Sequence, residues 1–336
     1  MSMRILWVSC VMAICGLGLA GPAAAQCEPE GDTRFVCGPI SPEDLALVPE
    51  TPWVIVASWE DDGYLSAADS RDGSTVRLFP TATAQGRHDA AMYADCPGVS
   101  TGGFRAHGIS LRTGTGGTHV LYVVRHGARE AVEVFDVDAR GETPSLTWTG
   151  CAVAPEGVGL NAVVALPDGG FAATSPRTRD IWEWHPDTAW VRVPGSEDIG
   201  PNGIEVSSDG RWFLVAGYAS QSVIRLSRGQ TPVQQTRVEV GFNIDNVHWA
   251  PDGTLLAAGH TAPSPTGVGD CIARRGCAGI VSFVARVDTD AMTQRQILRY
   301  PTDDRLILGT TAIEVADELW VGQVAGGTHI LRIPLR

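Results

Sequence analysis

Four places in this chain put oxygen-bearing side chains at the same point of a recurring pattern. Asn161, Asn202 and the pair Asp245-Asn246 each stand six or seven residues ahead of an Asp-Gly turn, at Asp168, Asp209 and Asp252, just before an apolar strand. Glu43 holds the comparable position ahead of the first apolar run. Together they offer two carboxylates and three amides, a donor set that suits Ca²⁺, a hard cation that takes oxygen ligands, and suits zinc poorly. Singly, each has a plainer reading: Asn202-Gly203 is a turn signal, and Asp245-Asn246 can form an Asx turn. The shared register makes them a set.

Two histidines add acid-base capacity. His107, in Ala106-His107-Gly108, and His126, in Arg125-His126-Gly127, flank one predicted strand region, and a neutral imidazole can take a proton from water near neutral pH. His260 ends a strand and is a candidate for the wall of a channel. His88, His119, His185, His248 and His329 lack such a context and read as structural or surface residues. No Gly-x-Ser-x-Gly elbow is present, which sets serine catalysis aside.

The elements that must position these groups are short strands. Ala162–Leu166, Pro167-Asp168-Gly169 and Phe171–Thr174 make an apolar run, a turn that supplies positive φ, and a second run. Ile204–Val206 with Trp212–Ala216 repeats the design, as does Val247–Trp249 with Leu255–Ala258. The turns at Asp168, Asp209 and Asp252 lie 41 and 43 residues apart, near the period of a four-stranded propeller blade. Units centred near residues 55, 122, 168, 209, 252 and 318 predict an all-β, six-bladed β-propeller with four-stranded antiparallel blades over residues 41–336. The Asp-Gly aspartates are assigned to folding. The Gly- and Pro-rich insertion Thr261–Gly279 reads as a loop on one face.

The N-terminus has Arg4, an apolar run Ile5–Ala20 and the small residues Ala23-Ala24-Ala25, the pattern of a secretory signal cleaved after Ala25. Its apolar run is too short for a stable membrane anchor, and the bulky Ile14 before Cys15 disfavours a lipid-attachment site. Removal of residues 1–25 leaves Cys27, Cys37, Cys96, Cys151, Cys271 and Cys277. An even set in an exported chain implies disulfides. The close pairs Cys27/Cys37 and Cys271/Cys277 suggest local staples, the first holding an N-terminal arm over residues 26–40, which would leave Cys96 with Cys151, although six cysteines permit about fifteen pairings. The net charge of −13 argues against nucleic acid as a partner, and the absence of lysine excludes Schiff-base and P-loop chemistry.

His107-Gly108-Ile109-Ser110, Val132-Glu133-Val134-Phe135, Asn202-Gly203-Ile204 with Ser208-Asp209-Gly210, and Asp245-Asn246 resemble, in order, motifs of serum paraoxonases. The broader group is the senescence marker protein (SMP-30)/gluconolactonase/paraoxonase superfamily of six-bladed propellers, and the similarity runs in patches from Glu43 to the C-terminus. The resemblance implies a catalytic Ca²⁺ held by Glu43, Asn161, Asn202, Asp245 and Asn246, a dyad of His107 and His126, and lactonase or aryl-esterase activity. Gluconolactonase-like members keep a smaller metal set, matching Glu43, Asn202 and Asp245. Asp44 and the Ile109 carbonyl match parts of a second, structural Ca²⁺ site, and Ala162 stands where that site has an acid. The implied protein is a secreted or periplasmic Ca²⁺-dependent hydrolase of small lactones or esters. The rival reading is a non-enzymatic propeller that binds a ligand or protein around a structural Ca²⁺. A strictosidine synthase-like propeller is a third reading, and that chemistry does not call for this ligand set.

Overall fold

The structure, a computed structural model, describes residues 27–335; the segment read as a signal lies outside the described residues. Six small sheets follow one another along the chain, with Trp53–Ser58, Thr118–Gly127, Phe171–Ser175, Trp212–Gly217, Leu255–Thr261 and Glu318–Gln323 as their second strands from the inside. These second strands are the apolar runs of the sequence, and Trp53–Ser58 and Phe171–Ser175 are buried along their whole length. Packing on both faces explains why they read as continuous rather than alternating hydrophobic stretches. The sheets are antiparallel, apart from Gln85–Gly86, which adds a short parallel fifth strand to the second sheet.

The innermost strands are Pro42–Leu47, Phe104–Arg112, Val163–Ala165, Pro201–Val206, Asn243–Trp249 and Gly309–Val315, and each touches the next around a ring in which the last returns to the first. This is the predicted six-bladed propeller. Closure uses both ends of the chain: Arg34–Cys37, from the segment read as an arm, pairs antiparallel with His329–Pro334 and completes the sixth blade. The disulfides Cys27–Cys37, Cys96–Cys151 and Cys271–Cys277 are all formed, as fits an oxidising, extracytoplasmic compartment. The turn glycines Gly169, Gly210 and Gly253 have φ of 98°, 70° and 80°. Asp168 and Asp252 pair with Arg228 and Arg286 on the surface, which fits their assignment to folding.

The inner strands share one irregularity. Register slips between Pro42 and Asp44, Ala106 and Ile109, Pro201 and Ile204, Ile244 and Val247, and Gly309 and Thr311. Such bulges turn a strand and re-aim its side chains. They fall at Glu43, His107, Asn202, Asp245-Asn246 and Thr310, whereas Asn161, the remaining position of the register read from the sequence, lies just before its strand and not in a bulge. Two of them need glycine because neighbouring blades come close. A Cβ on Gly108 would lie 2.6 Å from Ala162 Cα, and one on Gly203 would lie 2.7 Å from both Asn246 Cα and the Asp245 carbonyl oxygen.

Candidate metal and acid-base site

Asn161 precedes its strand and is fixed by its backbone. Its N–H donates to the Thr174 carbonyl (3.0 Å), and its carbonyl accepts from Gly108 N–H (3.1 Å). Thr174, fully buried, also receives the Ala162 N–H and donates its hydroxyl to the Asn202 carbonyl. Glu43 is 1% exposed; its Oε1 accepts from Asn246 Nδ2 at 2.7 Å and its carbonyl from Thr310 Oγ1 at 2.8 Å. The Asn202 side chain faces the Asp245 carboxylate and favours its ionised form. The amide nitrogens are thus turned toward neighbours.

The oxygens are left over. Glu43 Oε2, Asn161 Oδ1 and Asn202 Oδ1 are buried without a hydrogen-bond partner, and Glu43, Asn161, Asn202 and Asp245 line a single cavity of about 220 Å³. An orphaned buried acceptor is costly and calls for an explanation; three in one cavity fit the demands of a cation. The carboxylates agree. Burial, with Asp44 and Asp245 adding, holds Glu43 well above the usual carboxylate range, and burial with Asp44 pushes Asp245 up to about 7 against the Asn202 hydrogen bond. A divalent ion held there would relieve that repulsion. Among the described residues no trio of His, Cys, Asp and Glu forms a metal cluster, because most donors here are amides, the mixed oxygen set that Ca²⁺ accepts.

His107 lines the same cavity. Its Nε2 lies 3.8 Å from Glu43 Oε1 and 3.5 Å from Asn161 Nδ2, while its Nδ1 meets His126 Nε2 at 2.8 Å. Burial, with His126 and Arg105 adding, holds His107 well below the usual imidazole value, so it stands neutral. His126 Nδ1 reaches Glu130 Oε2 at 2.8 Å. The two histidines singled out from the sequence are thus brought into contact, and the carboxylate beside them was missed: Glu130 sits across the hairpin from His126, with no register of its own to mark it. The blade behind the dyad is anchored by buried Glu133, which receives Arg125, Arg129 and Trp148.

His260 also lines the cavity, with both nitrogens engaged. Nδ1–H donates to the Gly309 carbonyl (3.0 Å), which leaves Nε2 to accept the Tyr218 hydroxyl (2.9 Å). Burial keeps His260 below its usual pKa despite the Gly309 bond. Trp59, Tyr218 and Thr310, none singled out from sequence, complete the lower wall. The insertion supplies a roof: its helix Gly267–Ile272 points Val268 and Ile272, four residues apart on one face, at the cavity beside Val324. Buried Cys271, bonded to Cys277, fixes that helix. A larger opening of about 730 Å³ lies at the hairpin end of the inner strands, but Glu43, Asn161, Asn202, Asp245 and His107 are in the smaller cavity, with Asn246 behind Glu43 through its amide.

Asp44 and Ile109 are brought together differently. The Ile109 N–H donates to Asp44 Oδ2 (2.8 Å), and Oδ1 receives Leu45 N–H, Thr311 Oγ1 and His248 Nε2. His248 Nδ1 faces Glu205 Oε1 at 3.4 Å. Burial alone would lower this imidazole, yet Asp44 and Glu205 raise it to about 10. His248, read from sequence as lacking context, is thus a cation between two carboxylates. Replacing it by leucine takes the cation away from buried Asp44, which keeps its Ile109, Leu45 and Thr311 donors, and from part-buried Glu205, and we expect a loss of about 3 kcal/mol of stability, read as a lower urea midpoint; an unchanged midpoint would refute this role.

The class defined is a six-bladed propeller with a ring of oxygen donors around its channel. No protein-family model matches the chain and no curated protein matches it in sequence. Solved structures do match. A putative gluconolactonase is 15% identical, with a TM-score of 0.55 over 94% of this chain and 98% of its own. A gluconolactonase of Xanthomonas campestris is 15% identical, with a TM-score of 0.57 over 94% and 93%. Regucalcin of Agrobacterium tumefaciens, a calcium-binding protein, is 13% identical, with a TM-score of 0.51 over 88% and 91%. At these identities what is shared is the fold. A streptogramin B lyase has it too (12% identity, TM-score 0.52), so the fold alone does not select a reaction.

Proposed function

We propose that this protein is a calcium-dependent hydrolase of lactones or carboxylic esters, exported from the cytoplasm by the signal in residues 1–25. The observation that carries the reading is the set of unpartnered buried oxygens of Glu43, Asn161 and Asn202 in one cavity with neutral His107. Glu43, Asn161, Asn202, Asp245 and Asn246 would hold Ca²⁺, which when bound supplies Lewis-acid polarisation of an ester or lactone carbonyl. His107 Nε2 takes a proton from water in the cavity. His107 passes its own Nδ1 proton to His126, and Glu130 stabilises the imidazolium that results. His126, on the more open side of the dyad, returns the proton to solvent. Val268, Ile272 and Val324 shield the cavity from bulk water. The gluconolactonase neighbours support the lactone arm of the reading, and the ordered paraoxonase-like motifs support the aryl-ester arm.

The test is metal analysis of the purified protein, coupled to a panel of lactones and aryl esters with and without EDTA. We expect bound calcium, hydrolysis of at least one panel member, loss of turnover on chelation and recovery on adding Ca²⁺. If calcium-saturated protein hydrolyses nothing on the panel, the hydrolase reading fails. Retention of calcium with only a stability change on chelation would identify a binding propeller instead.

A further inference from the structure

The state of the dyad is set from outside it. Glu130 uses both carboxylate oxygens: Oε2 meets His126 Nδ1 at 2.8 Å, and Oε1 accepts the backbone N–H of Leu160 at 2.6 Å. Leu160 is 3% exposed and immediately precedes Asn161, a proposed metal ligand. One carboxylate therefore ties the proton relay to the segment that carries a metal donor.

An ionised carboxylate only accepts, so His126 must donate through Nδ1–H. A neutral imidazole then has its other nitrogen free to accept, so His126 Nε2 receives a hydrogen bond at 2.8 Å from His107 Nδ1–H. That leaves His107 Nε2 with a bare lone pair beside Glu43 and Asn161. The Asn161 contact agrees, since the atom facing Nε2 is the amide nitrogen, a donor. We propose that Glu130 is a positioning residue that fixes the tautomers of both histidines, so that His107 presents an unprotonated nitrogen to the cavity. Its catalytic consequence rests on the hydrolase reading; the tautomer assignment does not.

The two-donor demand makes glutamine a sharp probe. Glu130→Gln has one acceptor oxygen and one donor nitrogen. The buried Leu160 N–H has no alternative acceptor in its bond to this side chain, so it keeps the oxygen and turns the amide NH₂ toward His126 Nδ1. His126 must then accept at Nδ1 and donate from Nε2, and His107 in turn accepts at Nδ1 and carries its proton on Nε2. The base is replaced by a donor without a change of shape. A carboxylate-to-amide change in the serine protease triad acts through the same wrong-tautomer effect.

The experiment is ¹⁵N–¹H long-range correlation NMR of imidazole-labelled, calcium-loaded wild type and Glu130→Gln, with kinetics and calcium titration on both. We expect wild type to show Nδ1–H, Nε2-bare rings at His107 and His126, and the variant to show both rings reversed. kcat should fall by about 10²–10³-fold, with KM and calcium affinity within a few-fold of wild type. An Nε2–H tautomer at His107 or a doubly protonated His126 in wild type overturns the proposal, and that measurement holds even if the variant does not fold. Unchanged tautomers, or reversed tautomers with full turnover, in a folded variant overturn it as well. Absence of hydrolysis in wild type counts against the hydrolase reading alone, since the ring states are read without substrate.

Discussion

Asp245→Ala is expected to remove calcium binding and hydrolysis together, with turnover falling roughly 10³-fold or more, the several kcal/mol that a bound metal contributes to transition-state charge stabilisation. The reason is charge count. Only Glu43 and Asp245 among the proposed donors are carboxylates, and Ca²⁺ affinity follows the number of charged ligands and the rigidity of the site. Alanine also takes away the partner of the Asn202 amide, so a second donor loses its orientation. The fold should survive, because Asp245 sits in a bulge rather than in a regular ladder and the metal-free protein is relieved of one of two repelling acids. Calorimetric titration with Ca²⁺ and a rate assay on the same sample check this. Equal calcium stoichiometry and equal rate in the variant would show that the donor ring is misassigned.

His107→Gln should separate chemistry from metal. Turnover is expected to fall by about 10²–10⁴-fold, the range general-base catalysis supplies, while calcium stoichiometry stays at the wild-type value. His107 approaches Glu43 Oε1 no closer than 3.8 Å and Asn161 Nδ2 no closer than 3.5 Å, so its loss leaves the firmer hydrogen bonds of the donor ring in place. Glutamine keeps a polar group of similar reach and cannot accept a proton near neutral pH. If kcat of His107→Gln matched wild type, water activation would have to lie elsewhere, and Tyr218 with His260 would be the next groups to test.

The parts of this molecule that were legible in its sequence are those encoded locally. An apolar run, an Asp-Gly turn and a second run specify two strands of a blade, and the 41- and 43-residue spacing repeats them. The candidate donors Asn161, Asn202 and Asp245-Asn246 were legible for the same reason, because each sits six or seven residues before its own Asp-Gly turn. Glu130 was not, since its partner Leu160 is 30 residues away and nothing in the intervening chain marks the pair. His248 looked featureless because Asp44 lies 204 residues before it. Val268 and Ile272 were hidden in a Gly- and Pro-rich insertion, where a six-residue helix gives too little periodicity to read. Ring closure by Arg34–Cys37 has no local signal either, since its pairing partners are at the opposite end of the chain.

That closing strand sets a constraint on biogenesis. The sixth blade joins residues 34–37 to residues 329–334, so the ring cannot be completed until nearly the whole polypeptide is available. A ribosome-bound nascent chain can form early blades but not a sealed cylinder, and the donors near residues 43 and 245 stay apart until the last blade docks. Calcium capture by the proposed donors would then be a late event, one that reports a finished molecule.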